Sequence, residues 1–359
     1  MKIKSLELLS YRNYNNQTVN FDSGLNVLHG SNAQGKTNLL ESIYFCAIGK
    51  STRVSKEKEV ILWGKDEAKI KLVAQKKYNN STIEIYFSKK QNKSIKINSI
   101  SIKKIGELMG EFNAVYFSPD ELKLVKECPE DRRRFMDISI AQTSKTYFYL
   151  LNRYEKVLAN RNKLLKTYSD INNIKDTIII WNEQLADIGS KIISSRIAFL
   201  NKLSSYAKLA HNYLTSEKEE LKLSYSGIVK ESTEKIKEEI LNKLEKNLEK
   251  DFSLGYTTIG PHRDDIKIFV NDIDIKTYGS QGQQRTCALS LKLAELEIIK
   301  EQTGEYPVLL LDDVLSELDY ARRKKLLNFT QKTQTILTCN EFDYDIPCKK
   351  FKIENGEIK

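Results

Sequence analysis

Eight residues near the amino end, Gly30-Ser31-Asn32-Ala33-Gln34-Gly35-Lys36-Thr37, constrain the fold more than any other part of the chain. They fit the pattern G-x-x-x-x-G-K-[ST], follow an apolar stretch with Leu25, Val27 and Leu28, and lead into a helical run from Asn38 to Cys46. The pattern has meaning only between a strand and a helix, and that is the setting it has. Its glycines let backbone N–H groups turn inward around phosphates. Lys36 brings a mobile positive charge, and the Thr37 hydroxyl is placed to ligate magnesium at a helix N-terminus. Chance produces such a match in about one chain in a hundred of this length, taking roughly 7% for each Gly. The loop is therefore read as a working phosphate site.

A second landmark lies far downstream. Val308-Leu309-Leu310-Leu311 is a continuous apolar run, the mark of a strand buried on both faces of a largely parallel sheet, and it ends in Asp312-Asp313. Sheets of this type bind ligands at the carboxyl ends of their strands, so Asp312 is placed to hold magnesium and Asp313 to orient or deprotonate an attacking water. The plain structural alternative is that both aspartates cap the following turn. Other strands read from alternation: Met1 to Leu6, Ile83-Glu84-Ile85-Tyr86-Phe87 and Ser94-Ile95-Lys96-Ile97, with turn residues at Asn79-Asn80 and Asn92.

Prolines divide the chain. They occur only at 119, 129, 261, 307 and 347, which leaves 130 to 260 free of the strongest helix breaker. That span is expected to be mostly helical, with Gly189 and Gly227 as punctuation and a solvated helix from Glu231 to Asp251 whose buried stripe is Ile236, Ile240, Leu241, Leu244 and Leu248. Residues 1–115 and 252–359 read as strands and short helices, so one domain is built from both chain ends and 116–251 is inserted into it.

The 359 residues, 40% hydrophobic and 30% charged, supply enough core for one large or two ordinary domains. No stretch approaches a membrane span and the opening lacks a signal-peptide core, so a cytoplasmic protein without a membrane partner is expected. Cys46, Cys128, Cys287, Cys339 and Cys348 form no C-x-x-C pair and there are three histidines, which argues against a disulfide framework or a zinc site. The net charge of +10 favours an acidic partner, nucleic acid first among them, although a lysine-rich composition raises charge without any such contact.

Gly279-Ser280-Gln281-Gly282-Gln283-Gln284 precedes a helix pattern from Arg285 to Ile299 that stops near Gly304 and Pro307. Ser280-Gln281-Gly282-Gln283 resembles the S-x-G-Q core of the ABC-type ATPase signature. Ser316-Glu317-Leu318-Asp319 is similar to the loop after the Walker B strand that lies on the dimer seam, which points to Ser316 and Asp319. Transporter ATPases put this signature much closer to the phosphate loop, and SMC proteins insert a very long coiled coil; the present insert lies between. The details resemble the RecF family: Tyr11-Arg12-Asn13-Tyr14, Gly30 to Glu41, Phe117-Ser118-Pro119-Asp120, Pro129 with Arg132-Arg133-Arg134-Phe135-Met136-Asp137, Gly260-Pro261-His262-Arg263-Asp264-Asp265, Leu310 to Asp319, Lys324, and in the arm Arg161-Asn162 and Trp181-x-x-Gln184-Leu185.

That resemblance runs end to end, and it implies an α/β chain: an ABC/SMC-type ATPase head with a mainly parallel sheet core and an inserted, mostly helical lobe. It implies ATP on Gly30–Thr37, Mg2+ on Thr37 and Asp312, and an ATP-dependent homodimer in which Ser280, Gln281, Gly282 and Gln283 act in trans. It further implies binding to single-stranded and gapped duplex DNA, work with RecR and RecO in loading RecA onto SSB-coated strand, and slow DNA-stimulated hydrolysis used as a switch. The alternative is another short-armed SMC-related ATPase of DNA metabolism.

Some positions depart from the family pattern. Glu127 stands where RecF sequences usually carry Gly, and Thr335 to Asn340 offers only Thr338 or Asn340 where many transporter ATPases carry a phosphate-sensing His. Asp313 replaces the Glu of fast transporter ATPases. For DNA contacts, Lys50, Arg53, Lys56 and Lys58 form a basic loop interrupted by Glu57 and Glu59. Arg132–Arg134 are read first as partners of Asp137, Asp131 or Glu130, and His262 and Arg263 as structural.

Overall fold

The computed structural model describes residues 1–54 and 56–359. They form two compact units, one of residues 1–122, 206–220 and 280–359, the other of 123–205 and 221–279.

The first unit is organised around the helix Lys36–Ile48, which is buried almost all the way round: Leu39, Leu40, Ile43, Phe45, Cys46 and Ala47 are each shut off from solvent. A helix apolar on every side needs cover on both sides. Tyr44 stacks on Tyr116 of one sheet with ring centroids 5.3 Å apart, and Phe45 meets Phe87 of the other edge-on at 5.1 Å.

The sheet carrying Tyr116 has five parallel strands in the order Cys348–Glu354, Leu25–His29, Thr335–Cys339, Val308–Asp312 and Ala114–Phe117, with Glu357–Ile358 antiparallel at one edge. Every residue of Val308–Asp312 and Thr335–Cys339 is buried, as continuous apolar runs require. The other sheet is antiparallel, ordered Tyr14–Asn20, Lys2–Tyr11, Glu67–Gln75, Asn80–Ser88, Ser94–Ile97, Ile100–Ser101. In its central strands burial alternates residue by residue, with Ala68, Ile70, Leu72 and Ala74 opposite Ile83, Ile85 and Phe87 on the inner face.

The second unit holds the helices Pro129–Ala141, Lys145–Thr167, Thr233–Lys246 and Leu248–Leu254 and most of Lys175–Thr215. It also holds a three-stranded sheet ordered Ile273–Asp274, Asp265–Val270, Leu221–Ser226. That sheet moves the expected boundaries. Residues 252–279, placed with the head by sequence, group with the insert because Asp265–Val270 pairs along its length with Leu221–Ser226. Residues 206–220 and the strand ending at Phe117 belong with the head.

Gly189 is not punctuation. It sits inside the uninterrupted helix Lys175–Thr215, where a Cβ would come within 3.3 Å of Tyr154 and Pro261, so the glycine lets neighbouring segments approach. The solvated helix of 231–251 is two helices; Ile236, Ile240 and Leu244 are its buried stripe, while Leu241 and Leu248 are half-buried. Among the described residues no helix is long and apolar enough to cross a membrane.

The second unit is pinned by a buried ion pair. Arg161, closed to solvent, donates to Asp251 at 2.8 Å, Thr257 at 2.8 Å and Asn182 at 2.7 Å. Removing one partner strands the other charge, so Arg161→Ala is expected to cost about 3–5 kcal/mol in urea unfolding. A loss below about 1 kcal/mol would mean Asp251 is rehydrated or re-paired.

Candidate nucleotide-binding site

The loop Gly30–Gly35 joins the strand Leu25–His29 to the helix Lys36–Ile48. Its two glycines are required by conformation. Gly30 (φ 143°) and Gly35 (φ 118°) occupy backbone regions closed to other residues; a Cβ on Gly30 would run into the Ile353 carbonyl, and one on Gly35 would lie 2.5 Å from the Asn13 amide nitrogen. The helix start has no side-chain cap and no acidic residue in its first turn, so its N–H groups are left to an anion.

The motif Tyr11–Tyr14 holds this loop from behind. Asn13 donates to the Gln34 carbonyl at 2.9 Å and accepts from Asn38 at 2.9 Å, the Tyr14 hydroxyl donates to the Gly35 carbonyl at 3.0 Å, and Arg12 forks onto both oxygens of Glu41 at 3.0 and 2.8 Å. From the carboxyl end of the chain, Gly356 N–H donates to the same Gln34 carbonyl at 3.2 Å.

Lys36 turns its ammonium into the loop, donating to Gly30 O, to Ser31 O at 3.0 Å and to Asn340 Oδ1 at 2.9 Å. Burial pulls its pKa below the ordinary lysine range, and the nearby Asp313, Cys339 and Asp312 oppose that pull. Asn340, one of the two positions left open for a phosphate sensor, is therefore already at the lysine.

Asp312 is buried and accepts three hydroxyls: Thr37 at 3.0 Å, Thr338 at 2.7 Å and Tyr116 at 2.8 Å. These residues fit a magnesium ion. The Thr37 and Asp312 oxygens are separated by 3.0 Å, close to the spacing of neighbouring ligands on an octahedral ion whose bonds are about 2.1 Å. Asp313 follows in a left-handed conformation (φ 51°, ψ 27°), its N–H held by Thr338 Oγ1 at 2.9 Å. Tyr116 was missed by sequence reasoning because its partner lies 196 residues away and no local pattern marks it.

The signature turn is a helix start. Ser280 caps Gln281–Thr303 and shares a reciprocal box with Gln283, the hydroxyl accepting from Gln283 N–H at 3.2 Å and the Gln283 side-chain Oε1 from Ser280 N–H at 3.1 Å. Ser280, Gln281 and Gly282 are exposed, and a Cβ on Gly282 would meet nothing. Among the described residues, the side-chain bonds of Ser280 and Gln283 stay within the turn or reach Glu219; none joins Gly30–Thr37. Ser316 and Asp319 are exposed too, Ser316 bonded to the Asp313 carbonyl at 2.7 Å and Asp319 capping the helix Tyr320–Phe329. Arg285 of the signature helix pairs with Glu317 between them.

Residues 2–341 match the family model described as the RecF/RecN/SMC N terminal domain. A DNA replication and repair protein RecF from Clostridium perfringens is 47% identical with all of both chains covered, and one from Clostridium botulinum is 47% identical over all of this chain and 99% of its own. The chain belongs to the RecF family. A solved structure of the recombination mediator protein RecF-ATP in the RecFOR pathway superposes with a TM-score of 0.90 at 37% identity, covering 99% of this chain and 96% of that one. An Smc head bound to the C-winged helix domain of ScpA, at TM-score 0.59 and 16% identity, shares the fold.

The remaining RecF motifs take structural positions. Arg132 is buried and forks onto Asp265 at 2.6 and 3.0 Å, rather than onto Asp137, Asp131 or Glu130, while also holding the Leu124 and Glu127 carbonyls. Arg133 donates to the Asp264 carbonyl at 2.8 Å. Asp137 pairs instead with Arg196 at 2.9 Å. Glu127 lies outside the positive-φ residues, so its backbone asks nothing that only glycine supplies. His262 and Arg263 both reach the Thr257 carbonyl, at 3.0 and 3.1 Å.

Lys50, Arg53, Lys56 and Lys58 are exposed; Glu57–Val60 forms a 3-10 turn, Arg53 donates to Asn38 at 3.0 Å and Lys58 to the Lys89 carbonyl at 2.7 Å.

Burial pushes His262 down to about 4, and the ring also bonds the Tyr154 hydroxyl at 2.8 Å. A depressed histidine stabilises fully above its ordinary value of 6.5, and that contribution is lost as pH falls towards 4. The loss amounts to at most about 3 kcal/mol, reduced by solvent reaching the half-buried ring. His262→Gln should flatten the pH dependence of unfolding in this window; an unchanged slope would contradict the assignment.

Proposed function

We propose that this RecF chain is an ATP-driven clamp of DNA replication and recombinational repair. Gly30–Thr37 hold the triphosphate, Thr37 and Asp312 hold Mg2+, and Asp313 orients the attacking water. Magnesium held there would supply neutralisation of the phosphate charge. Lys36 exchanges its loop carbonyls for phosphate oxygens, and Asn340 is positioned to follow that exchange. Two heads close face to face, each presenting Ser280–Gln283 to the other's nucleotide, with Ser316 and Asp319 on the seam.

The observation that carries this reading is the pairing of two half-sites in one compact unit. One is a phosphate loop with Lys36, Thr37, Asp312 and Asp313 gathered at it; the other is a folded signature turn with Ser280, Gln281 and Gly282 exposed, whose Ser280 and Gln283 side chains, among the described residues, bond within the turn and to Glu219. A site split in this way is complete only against a second copy. The relatives named for DNA replication and repair, and the solved RecF of the RecFOR pathway, support DNA as the substrate surface and RecO and RecR as partners. Loading of RecA at gap edges and reset by hydrolysis complete the reading. Phosphate contacts dominate such binding, so it should weaken steeply with salt.

Two outcomes test it. Fluorescence anisotropy with gapped duplex should show tight binding with ATP, weak binding with ADP, and nucleotide-independent weak binding for Lys36→Ala. Binding that ignores the nucleotide would contradict the clamp. Asp313→Glu should raise steady-state hydrolysis, because the longer side chain reaches the water better; an unchanged rate would remove reach as the cause of slow turnover.

A further inference from the structure

The signature turn is braced by a segment that no motif marks. The helix Lys175–Thr215 runs for 41 residues, and its last part, from Tyr206, lies in the first unit with the turn that follows it. On that last part His211 is fully buried, its Nδ1 3.1 Å from Ser290 Oγ of the signature helix and its Nε2 3.2 Å from one oxygen of Glu219. The other oxygen of Glu219 accepts from Gln283 Nε2 at 2.9 Å.

This second bond reinforces how Gln283 points. An amide offers a donor on one side and an acceptor on the other. With its nitrogen held by a carboxylate, its oxygen must face the Ser280 N–H, which is the bond that closes the capping box. Without Glu219 the amide is oriented by the Ser280 N–H alone, since the flipped form sets two donors against each other; the carboxylate adds a second bond that favours the same orientation and fixes the far end of the amide.

Glu219 is itself held in place. The chain reaches it through Ser216 and Glu217, both left-handed at φ 57° and 61°. Such residues persist where neighbours over-determine them. Here Lys325 donates to the Tyr213 carbonyl at 2.6 Å and to Ser216 Oγ at 2.7 Å. Lys325 lies on Tyr320–Phe329, the helix capped by Asp319. The end of the long helix thus touches both elements expected at the dimer seam.

We propose that Glu219 is a positioning residue for the signature, fixing Gln283 and the Ser280 turn in the form that meets a partner's ATP. The proposal rests on the reading of Ser280–Gln283 as acting in trans.

The test is complementation between variants. Glu219→Ala and the volume-preserving Glu219→Gln should bind a fluorescent ATP analogue as the native chain does, because the phosphate loop is untouched; Glu219→Ala should lose hydrolysis about tenfold or more, and Glu219→Gln, whose amide oxygen still accepts from Gln283 Nε2, should lose less. Mixing either with Asp313→Asn should restore hydrolysis well above the sum of the two assayed apart. In the mixed dimer one site pairs the intact phosphate loop and Asp313 of the Glu219 variant with the intact signature of the other copy. Ser280→Arg mixed with Asp313→Asn is the reference for action in trans. Native hydrolysis in both Glu219 variants would overturn the proposal. So would a loss that mixing leaves uncorrected while the Ser280→Arg mixture recovers. If the Ser280→Arg mixture also fails, the in-trans reading falls and the proposal with it.

Discussion

The nucleotide site depends on one buried carboxylate. Asp312 ends a strand closed to solvent on both faces, where an unpaired charge is costly, and three hydroxyls from three separate segments meet it: Thr37 of the phosphate-loop helix, Thr338 of the neighbouring strand and Tyr116 of the strand on the other side. Each hydroxyl fixes its own segment as well. Thr338 also holds the Asp313 backbone, so the position of Asp313 follows from the same cluster. The site is preorganised by bonds internal to the protein, which is the condition for electrostatic work on a phosphate.

The same economy governs the two faces of the phosphate-loop helix. Because it is buried almost all round, it is sandwiched, and sandwiching locks its N-terminus against the loop that carries the glycines. Residues 11–14 and 355–356 close on that loop from opposite ends of the chain, so both termini contribute to one site. The RecF motif at Tyr11–Tyr14 thereby gains a physical meaning: it is a brace for Gln34, Gly35 and Glu41.

Features coded over a few residues were legible in the sequence. The phosphate loop, the apolar strand running into Asp312-Asp313 and the alternating strands around Ile83 declare themselves by spacing, whereas the signature helix, expected from Arg285, begins at Gln281 under the Ser280 cap. Features set by partners far along the chain did not. Gly189 read as a break because glycine lowers helix propensity, yet packing against Tyr154 and Pro261 outweighs that cost. Residues 252–279 read as head until the pairing of Asp265–Val270 with Leu221–Ser226 assigned them elsewhere. Arg132 finds Asp265 133 residues away, and Gln283 finds Glu219 64 residues away, separations at which no periodicity can speak.

Two half-sites on one chain, brought together by nucleotide, require a change of oligomeric state. Multi-angle light scattering on the native chain with ATP, with ADP and without nucleotide, beside Asp313→Asn and Ser280→Arg, tests it most directly. The expected result is a monomer without nucleotide and with ADP, a dimer with ATP that persists in Asp313→Asn, and no dimer for Ser280→Arg. A native chain that stays monomeric with ATP, or a Ser280→Arg chain that dimerises as the native one does, would contradict it.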